Sequence, residues 1–362
     1  MSEMENRPQE EKKEKPGSPS EDTPPPSMSY DERGWDVGRL MELATGYWKS
    51  AVLSAGVDLG IFDTLSTGPA CIAELTERCN ASERYLAEIL DTLTALNLIE
   101  KCESTYGIAS GAQALLNRNS DTCMLDALRF NMDLYPLWGR IPECVRTGQP
   151  AIPPGAHLGA DPERTRRFAL GMHSRALGMA PTLLPALDPK GATHLLDVAA
   201  GPGTFSRLLA EQRPQLRVTQ FELPAVQEVA RALTQDSTAA ERIEFKAGDY
   251  HTDALPSGFD LAMLCGAIHQ ENEATATALF DLIQQALNPG GRFLLVDMML
   301  EPDRTGPLFS NLFSINMMLT SPSGRVFTAE VLEELLIKTG FEKVSLTQPD
   351  HSPYWVLEAI KP

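Results

Sequence analysis

The sequence predicts an α/β protein: a mostly parallel, seven-stranded sheet covered by helices, preceded by a small helical unit that ends in a β-hairpin. Three observations carry this expectation. From Gly191 onward, short apolar β-rich runs alternate with helix-like stretches, the pattern of a parallel sheet buried on both faces. The first of those runs leads into a glycine turn, Asp197-Val198-Ala199-Ala200-Gly201-Pro202-Gly203. Ahead of it, residues 36–118 read as helix, turn, helix and hairpin.

In chain order, residues 1–30 are rich in Glu, Lys, Pro and Ser and hold almost no large apolar side chains, so the expectation there is a disordered tail. In 36–118, Leu40, Met41, Leu43, Ala44, Tyr47 and Trp48 recur at helical spacing, and the pattern continues through Val52, Leu53 and Val57. A short helix at Ile72 to Arg78 follows. Asn80-Ala81-Ser82-Glu83 then supplies cap chemistry for a helix carrying Tyr85, Leu86, Ile89, Leu90, Leu93 and Leu96. The hairpin candidates are Leu98 to Lys101 and Tyr106 to Ile108, which makes the unit winged-helix-like. Residues 119–190 read as mainly helical, broken at Pro153-Pro154-Gly155. In 191–362 the strand candidates are His194 to Val198, Leu216 to Phe221, Arg242 to Lys246, Phe259 to Leu264 and Arg292 to Met299. An edge hairpin, Lys343 to Thr347 with Tyr354 to Ile360, completes seven.

Composition narrows the function. The net charge of −18 sets the surface against phosphate backbones and anionic lipid, so neither nucleic acid nor membrane is an expected partner. The candidate recognition helix, Glu83 to Leu96, is acidic and apolar, which favours packing over DNA contact. No apolar stretch is long enough to span a bilayer and the N-terminus has no signal-peptide core, so the expected location is cytoplasmic. The six cysteines form no C-x-x-C pair, and no carboxylate cluster is set aside for a cation, so no metal is expected.

The glycine turn acquires meaning from its acids. Asp197 sits four residues before Gly201, at the mouth of the loop, and Glu222 ends the second strand, where a carboxylate can accept from both hydroxyls of a ribose. A dinucleotide fingerprint wants a third glycine where Ser206 stands, and pyrophosphate favours a loop free of carboxylates. S-adenosylmethionine has no phosphate and carries a sulfonium and an ammonium, which suit an acidic loop. A glycine turn that merely packs helix on strand is the remaining alternative. Asp249 and Tyr250 follow the third strand, placed to meet an adenine amino group and to flank its ring, because ligands of open α/β sheets bind at the carboxyl ends of strands. His269 falls just past the fourth strand, where a histidine can serve as general base or as a structural residue.

Together Asp197-x-x-x-Gly201-x-Gly203, Glu222-Leu223-Pro224, Gly248-Asp249, Ile268-His269, Asn288-Pro289-Gly290-Gly291 and Thr339-Gly340-Phe341 resemble the small-molecule O-methyltransferases, the class I S-adenosylmethionine-dependent group with a Rossmann-like catalytic domain. The resemblance covers about residues 36–362. It implies that 36–118 builds a homodimer, that Gly201 and Gly203 surround the methionine part of the cofactor, and that Glu222 binds ribose. It further implies that Asp249 and Tyr250 meet adenine, that Phe168 and Met172 line the pocket, and that His269 is the catalytic base. Of the two glutamates that flank the base in plant members, the first matches Asp297 and the second falls at about Val326. Gln270-Glu271 stands where the family commonly has Asp-Trp, and Cys265 where plant members have lysine.

The resulting expectation is methyl transfer from S-adenosylmethionine to a hydroxyl of a small aromatic molecule. Carbon methylation or hydroxylation on the same fold, and a non-catalytic homologue, are the alternatives. The acceptor pocket is expected near Phe130, Leu134, Trp138, Asn316 and Met318.

Overall fold

The computed structural model describes residues 34–152, 161–350 and 352–362. The expected tail and the break at Pro153-Pro154-Gly155 lie outside the described residues. The N-terminal helical pattern divides in two, α1 (Val37–Thr45) and α2 (Tyr47–Asp58), with Gly46 between them. Asp36 caps α1 by accepting from the Arg39 amide. The short α3 (Ile61–Leu65), the two-residue strand β1 (Ala70–Cys71) and α4 (Ile72–Arg78) follow. α5 (Glu83–Ala95) turns Leu86, Leu90 and Leu93 inward, one apolar stripe at helical spacing. β2 (Ile99–Cys102) and β3 (Thr105–Ile108) form the expected hairpin, and β1 adds to it in the order β1-β3-β2. This is a winged-helix layout around a core that includes Phe62, Leu75, Leu90 and Ile108.

The helical middle consists of α6 (Gln113–Leu116), α7 (Leu125–Trp138), α8 (Ile141–Thr147) and the long α9 (Pro162–Leu183). Asp161 caps α9 and Pro162 fills its first position, where a missing amide costs nothing.

The catalytic sheet then builds strand by strand: β4 (His194–Val198), α10 (Thr204–Gln212), β5 (Arg217–Glu222), α11 (Pro224–Thr234), β6 (Ile243–Ala247), β7 (Phe259–Cys265), α12 (Glu273–Ala286) and β8 (Leu287–Met298). After α13 (Leu308–Thr320) and α14 (Ala329–Lys338) come β9 (Glu342–Thr347) and β10 (Tyr354–Ile360). The order is β6-β5-β4-β7-β8-β10-β9. The first five strands run parallel, and β10 is antiparallel to both β8 and β9. Seven strands, mostly parallel, with helices between them, is the fold class the sequence predicts. β4 has β5 on one side and β7 on the other, so the chain reverses its direction of winding there, and a crevice opens beyond the carboxyl ends. Among the described residues no helix is long and apolar enough to cross a membrane.

Candidate active site

The crevice is a cavity of about 310 Å³ that runs from the β4–α10 loop to the carboxyl end of β8. Asp197, Gly201, Glu222, Asp249, Tyr250, Phe168, Met172 and His269 all line it. Two of the expected site residues stand behind the lining. Asp297 is fully buried under His269. Gly203 is turned away from the cavity, at φ +66°, and a Cβ there would overlap the side-chain amide of Gln220. Its glycine is needed for this close approach and for a left-handed turn.

The loop is held from below. Gln220 Nε2 donates to the Gly203 carbonyl at 3.2 Å and to Ser206 Oγ at 3.0 Å, and Ser206 Oγ donates to the Gly203 carbonyl at 3.2 Å. Ser206, in the place of a third glycine, is therefore part of a buried polar clasp. From the side, His173 Nδ1 lies 2.7 Å from Thr204 Oγ1 at the start of α10. Burial, with the nearby Arg207 charge adding to it, lowers the pKa of that imidazole to about 4, so it is neutral and links α9 to the loop without adding charge. Ala199 adopts φ +52° at the cavity wall, unusual for a residue with a Cβ.

Three carboxylates gather at this end. Glu222 accepts from the Gly201 amide at 2.6 Å through Oε2 and from the Leu223 amide at 2.7 Å through Oε1. Each oxygen keeps a further lone pair for a ligand hydroxyl. Burial raises its pKa, with the two amides opposing and the Asp249 charge adding to the rise. Asp197 is buried, and burial pushes it up to about 7 against the Ser206 hydroxyl, with Glu222 contributing. Asp249 Oδ1 accepts from the His251 amide at 2.9 Å. Carboxyls pushed upward in this way mark a site short of positive charge, which a cationic ligand relieves. The donor set therefore fits S-adenosylmethionine, with its ammonium, sulfonium, ribose diol and neutral adenine.

Tyr250 donates its hydroxyl to Glu271 Oε1 at 2.7 Å, and His251 Nε2 lies 3.4 Å from the same oxygen. Burial raises the Tyr250 pKa, and the Glu271 charge adds to this, so the ring is a fixed neutral wall. Sequence reasoning registered Glu271 only as a departure from the family pattern. Its sequence neighbours His269, Gln270, Asn272 and Glu273 are polar, so nothing in the sequence marks Glu271 as buried, although it is.

At the other end, His269 sits in a single helical turn, Ile268–Gln270, after β7. Its Nδ1 lies 2.9 Å from Asp297 Oδ2, and Asp297 Oδ1 also accepts from the Met298 amide at 2.8 Å. A Phe313 ring meets the imidazole edge-to-face, centroids 4.8 Å apart. Nδ1 carries the proton toward the carboxylate, so Nε2 is left as an acceptor. Val326 is buried and contributes no polar group. Cys265 lines the cavity, where burial raises its thiol and keeps it protonated.

Of the residues expected to shape the acceptor pocket, Phe130, Leu134 and Asn316 line the cavity. Trp138 and Met318 do not. They pack in an apolar cluster with Cys144, Ala151 and Leu319, and the Trp138 indole reaches Asn316 Oδ1 at 3.3 Å. A wide helical face buries more than its cavity-facing edge, and spacing alone does not separate the two. Among the described residues no group of three His, Cys, Asp or Glu side chains is placed to hold a metal ion.

The O-methyltransferase domain family matches residues 151–342, and the O-methyltransferase dimerisation domain family matches residues 41–118. The chain is 32% identical over 315 residues to the tetracenomycin polyketide synthesis 8-O-methyl transferase TcmO of Streptomyces glaucescens, covering 86% of this chain and 93% of that one. It is 28% identical over 346 residues to acetylserotonin O-methyltransferase of Mus musculus, covering 90% and 89%. The structure of human N-acetylserotonin methyltransferase in complex with SAM shares the fold, with a TM-score of 0.81 at 24% identity over 91% of this chain and 99% of that one.

Proposed function

Because this chain belongs to the O-methyltransferase family, we propose that His269, held by Asp297, is the base that prepares the hydroxyl of an aromatic acceptor for methylation. The protein is an S-adenosylmethionine-dependent O-methyltransferase with a dimerisation domain. The observation that carries the assignment of roles is the His269–Asp297 pair, which faces the same cavity as the glycine loop and its acids.

S-adenosylmethionine, when bound, supplies an electrophilic methyl on a sulfonium sulfur. The chain's residues do the rest. Glu222 receives the ribose hydroxyls, Asp249 the adenine amino group, and Asp197 with the Gly201 turn faces the positive methionine end. Tyr250, Phe168 and Met172 provide apolar walls. His269 Nε2 takes the proton of the acceptor hydroxyl as its oxygen becomes a nucleophile, and Asp297 stabilises the resulting imidazolium. A phenol with a pKa of about 10 gains on the order of 10²–10⁴-fold from such a base. Alignment in the cavity supplies the larger share. Phe130, Phe313 and Met317 make the acceptor end apolar, in keeping with a flat aromatic molecule.

We further propose a division into a dimer-forming unit at 36–118, a helical acceptor region at 119–190 and a catalytic unit at 191–362. The chain would work as a homodimer in the cytoplasm, where its six unpaired thiols stay reduced. Incubation with methyl-labelled S-adenosylmethionine and a panel of aromatic hydroxyl compounds tests the reading by product mass. Label on an aromatic oxygen is the expected result. Label only on carbon, or none on any member while the cofactor binds, would overturn it.

A further inference from the structure

One charge in the cavity has no part in the scheme above. Arg175 stands on α9, three residues after Met172, and lines the cavity. Its guanidinium donates to Asn131 Oδ1 of α7 and lies 5.8 Å from the centre of the Phe130 ring. Neither partner is charged. Other arginines of this region are matched with acids: Arg118 with Asp63 and Asp126, Arg129 with Asp63, and Arg167 with Asp133. Among the described residues no carboxylate lies at ion-pair distance from Arg175, although burial already disfavours its charge. Guanidinium stays protonated in proteins, so a partly buried one without a counter-charge carries a desolvation cost that a ligand's anion would relieve.

Its place in the cavity indicates which ligand. The guanidinium lies over the ring of Phe130, which lines the cavity with Leu134 and Asn316 in the part read above as the acceptor end. The guanidinium thus belongs to the end of the cavity where His269 works. Its planar fork matches a carboxylate with two parallel hydrogen bonds, and Nη2 is the nitrogen that Asn131 engages.

We propose that Arg175 determines acceptor specificity by binding a carboxylate carried on the same aromatic framework as the hydroxyl to be methylated. The proposal rests on the reading of this end of the cavity as the site of an aromatic hydroxyl. The methionine part of the cofactor also carries a carboxylate, so the test must separate two sources of one chemistry.

Hydroxynaphthoic acids and their carboxamides form acceptors matched in shape, the acid carrying the negative charge that the amide lacks. The wild-type protein should prefer the acid in kcat/KM, and Arg175→Met should reduce the acid-to-amide ratio by about 10²-fold, with Arg175→Lys restoring part of it. Melting temperatures establish that the variants fold. Affinities for S-adenosylhomocysteine and for 5′-methylthioadenosine, which lacks the methionine carboxylate, are read by calorimetry and should not change. Weaker binding of S-adenosylhomocysteine alone would place the cofactor's carboxylate on Arg175 and overturn the proposal. An unchanged acid-to-amide ratio would overturn it too. Binding of the acids to the protein loaded with S-adenosylhomocysteine is measured as well. Arg175-dependent binding without methylation would uphold the carboxylate site while defeating the aromatic-hydroxyl reading. Absence of such binding would defeat the carboxylate site, whatever the turnover.

Discussion

The imidazole of His269 and the carboxylate of Asp297 meet across the carboxyl ends of two neighbouring parallel strands, with Nδ1 2.9 Å from Oδ2 and 3.0 Å from Oδ1. One carboxylate thus does the orienting, with Val326 contributing nothing polar. Asp297→Asn should turn an amide N–H toward Nδ1, because the Asn oxygen is needed by the Met298 amide. The proton would then move to Nε2 and block it as an acceptor. Turnover should fall by about 10² or more for both Asp297→Asn and His269→Ala, with S-adenosylhomocysteine affinity nearly unchanged. The loss should shrink as pH rises toward the acceptor's own pKa, since hydroxide then supplies the phenolate. A deficit constant with pH would make the pair a positioning device and not a base.

Glu222 should control cofactor affinity. Its oxygens bridge the Gly201 and Leu223 amides and have capacity left for the ribose diol. Hydrogen bonds to a charged group contribute about 1.5–3 kcal/mol each and are not additive, so Glu222→Ala should weaken S-adenosylhomocysteine binding tenfold or more. Calorimetric titration measures this, and unaltered affinity would remove the ribose role. NAD serves as the control ligand and should not bind.

Asp197 should make that affinity depend on pH. In the ligand-free chain its carboxyl holds its proton up to about pH 7. A cation beside it favours the ionised form, so below that pH binding must release a proton. Affinity for S-adenosylmethionine should therefore rise as pH increases toward about 7 and level off above it. The same group lowers the stability of the ligand-free fold over the same window. From the ordinary carboxylate range up to about 7, the unfolded chain has lost the proton and the folded chain keeps it, so stability falls as pH rises. Asp197→Asn should flatten both profiles. Profiles that keep their slope in the variant would assign the titration to another group.

The exposed side of α1 and α2 should be the dimer contact. Leu40, Met41, Leu43, Tyr47 and Trp48 are each half or more exposed, an apolar surface larger than scattered surface residues account for. A two-fold axis would let the same patch cover itself. The chain should behave as a dimer by light scattering, and Leu40→Glu with Trp48→Glu should shift it to a monomer that keeps its helical circular dichroism. A dimer that survives both changes would move the interface elsewhere.

The strands β4 and β7 are legible in sequence because both of their faces are buried, which writes them as mainly apolar runs, interrupted by Asp197 in one and Asp260 in the other. The start of β8 is not. Asn288-Pro289-Gly290-Gly291 carries turn chemistry, so the sequence places the strand from Arg292, yet it begins at Leu287, paired with Phe259 of β7. The two-residue β1 has no periodicity to detect. Ser82 occupies its predicted cap position but makes no side-chain cap hydrogen bond, while Asn272, unremarked in the sequence, caps α12 with two. In the site, Glu222 and Asp249 are readable because strand ends in this architecture face ligands. Asp297 is legible only through resemblance, although an acid inside an apolar run signals a buried partner. Gln220 carries the same signal. Arg175 carries none, being one of several arginines on a long helix whose cavity-facing side only the packing of α7 defines.

β10 follows every other strand in the chain, yet it lies between β8 and β9, and its Trp355 is the cross-strand neighbour of Asp297. Ribosomes deliver residues in order, N-terminus first. The strands that carry Asp197 and Glu222, and the one that leads to Asp249, can pair while residues 354–360 are still in the exit tunnel. Until those residues emerge, β8 has a bare edge along Leu294, Leu295 and Val296, all of them buried in the finished fold. A chain stalled or cleaved before residue 354 therefore presents a cofactor-binding half beside an apolar strand edge open to other chains. Such a fragment is a seed for aggregation and a target for proteolysis before it can become a weakly active enzyme. Pairing the strand edge beside Asp297 and closing the sheet are one late event in the life of the polypeptide.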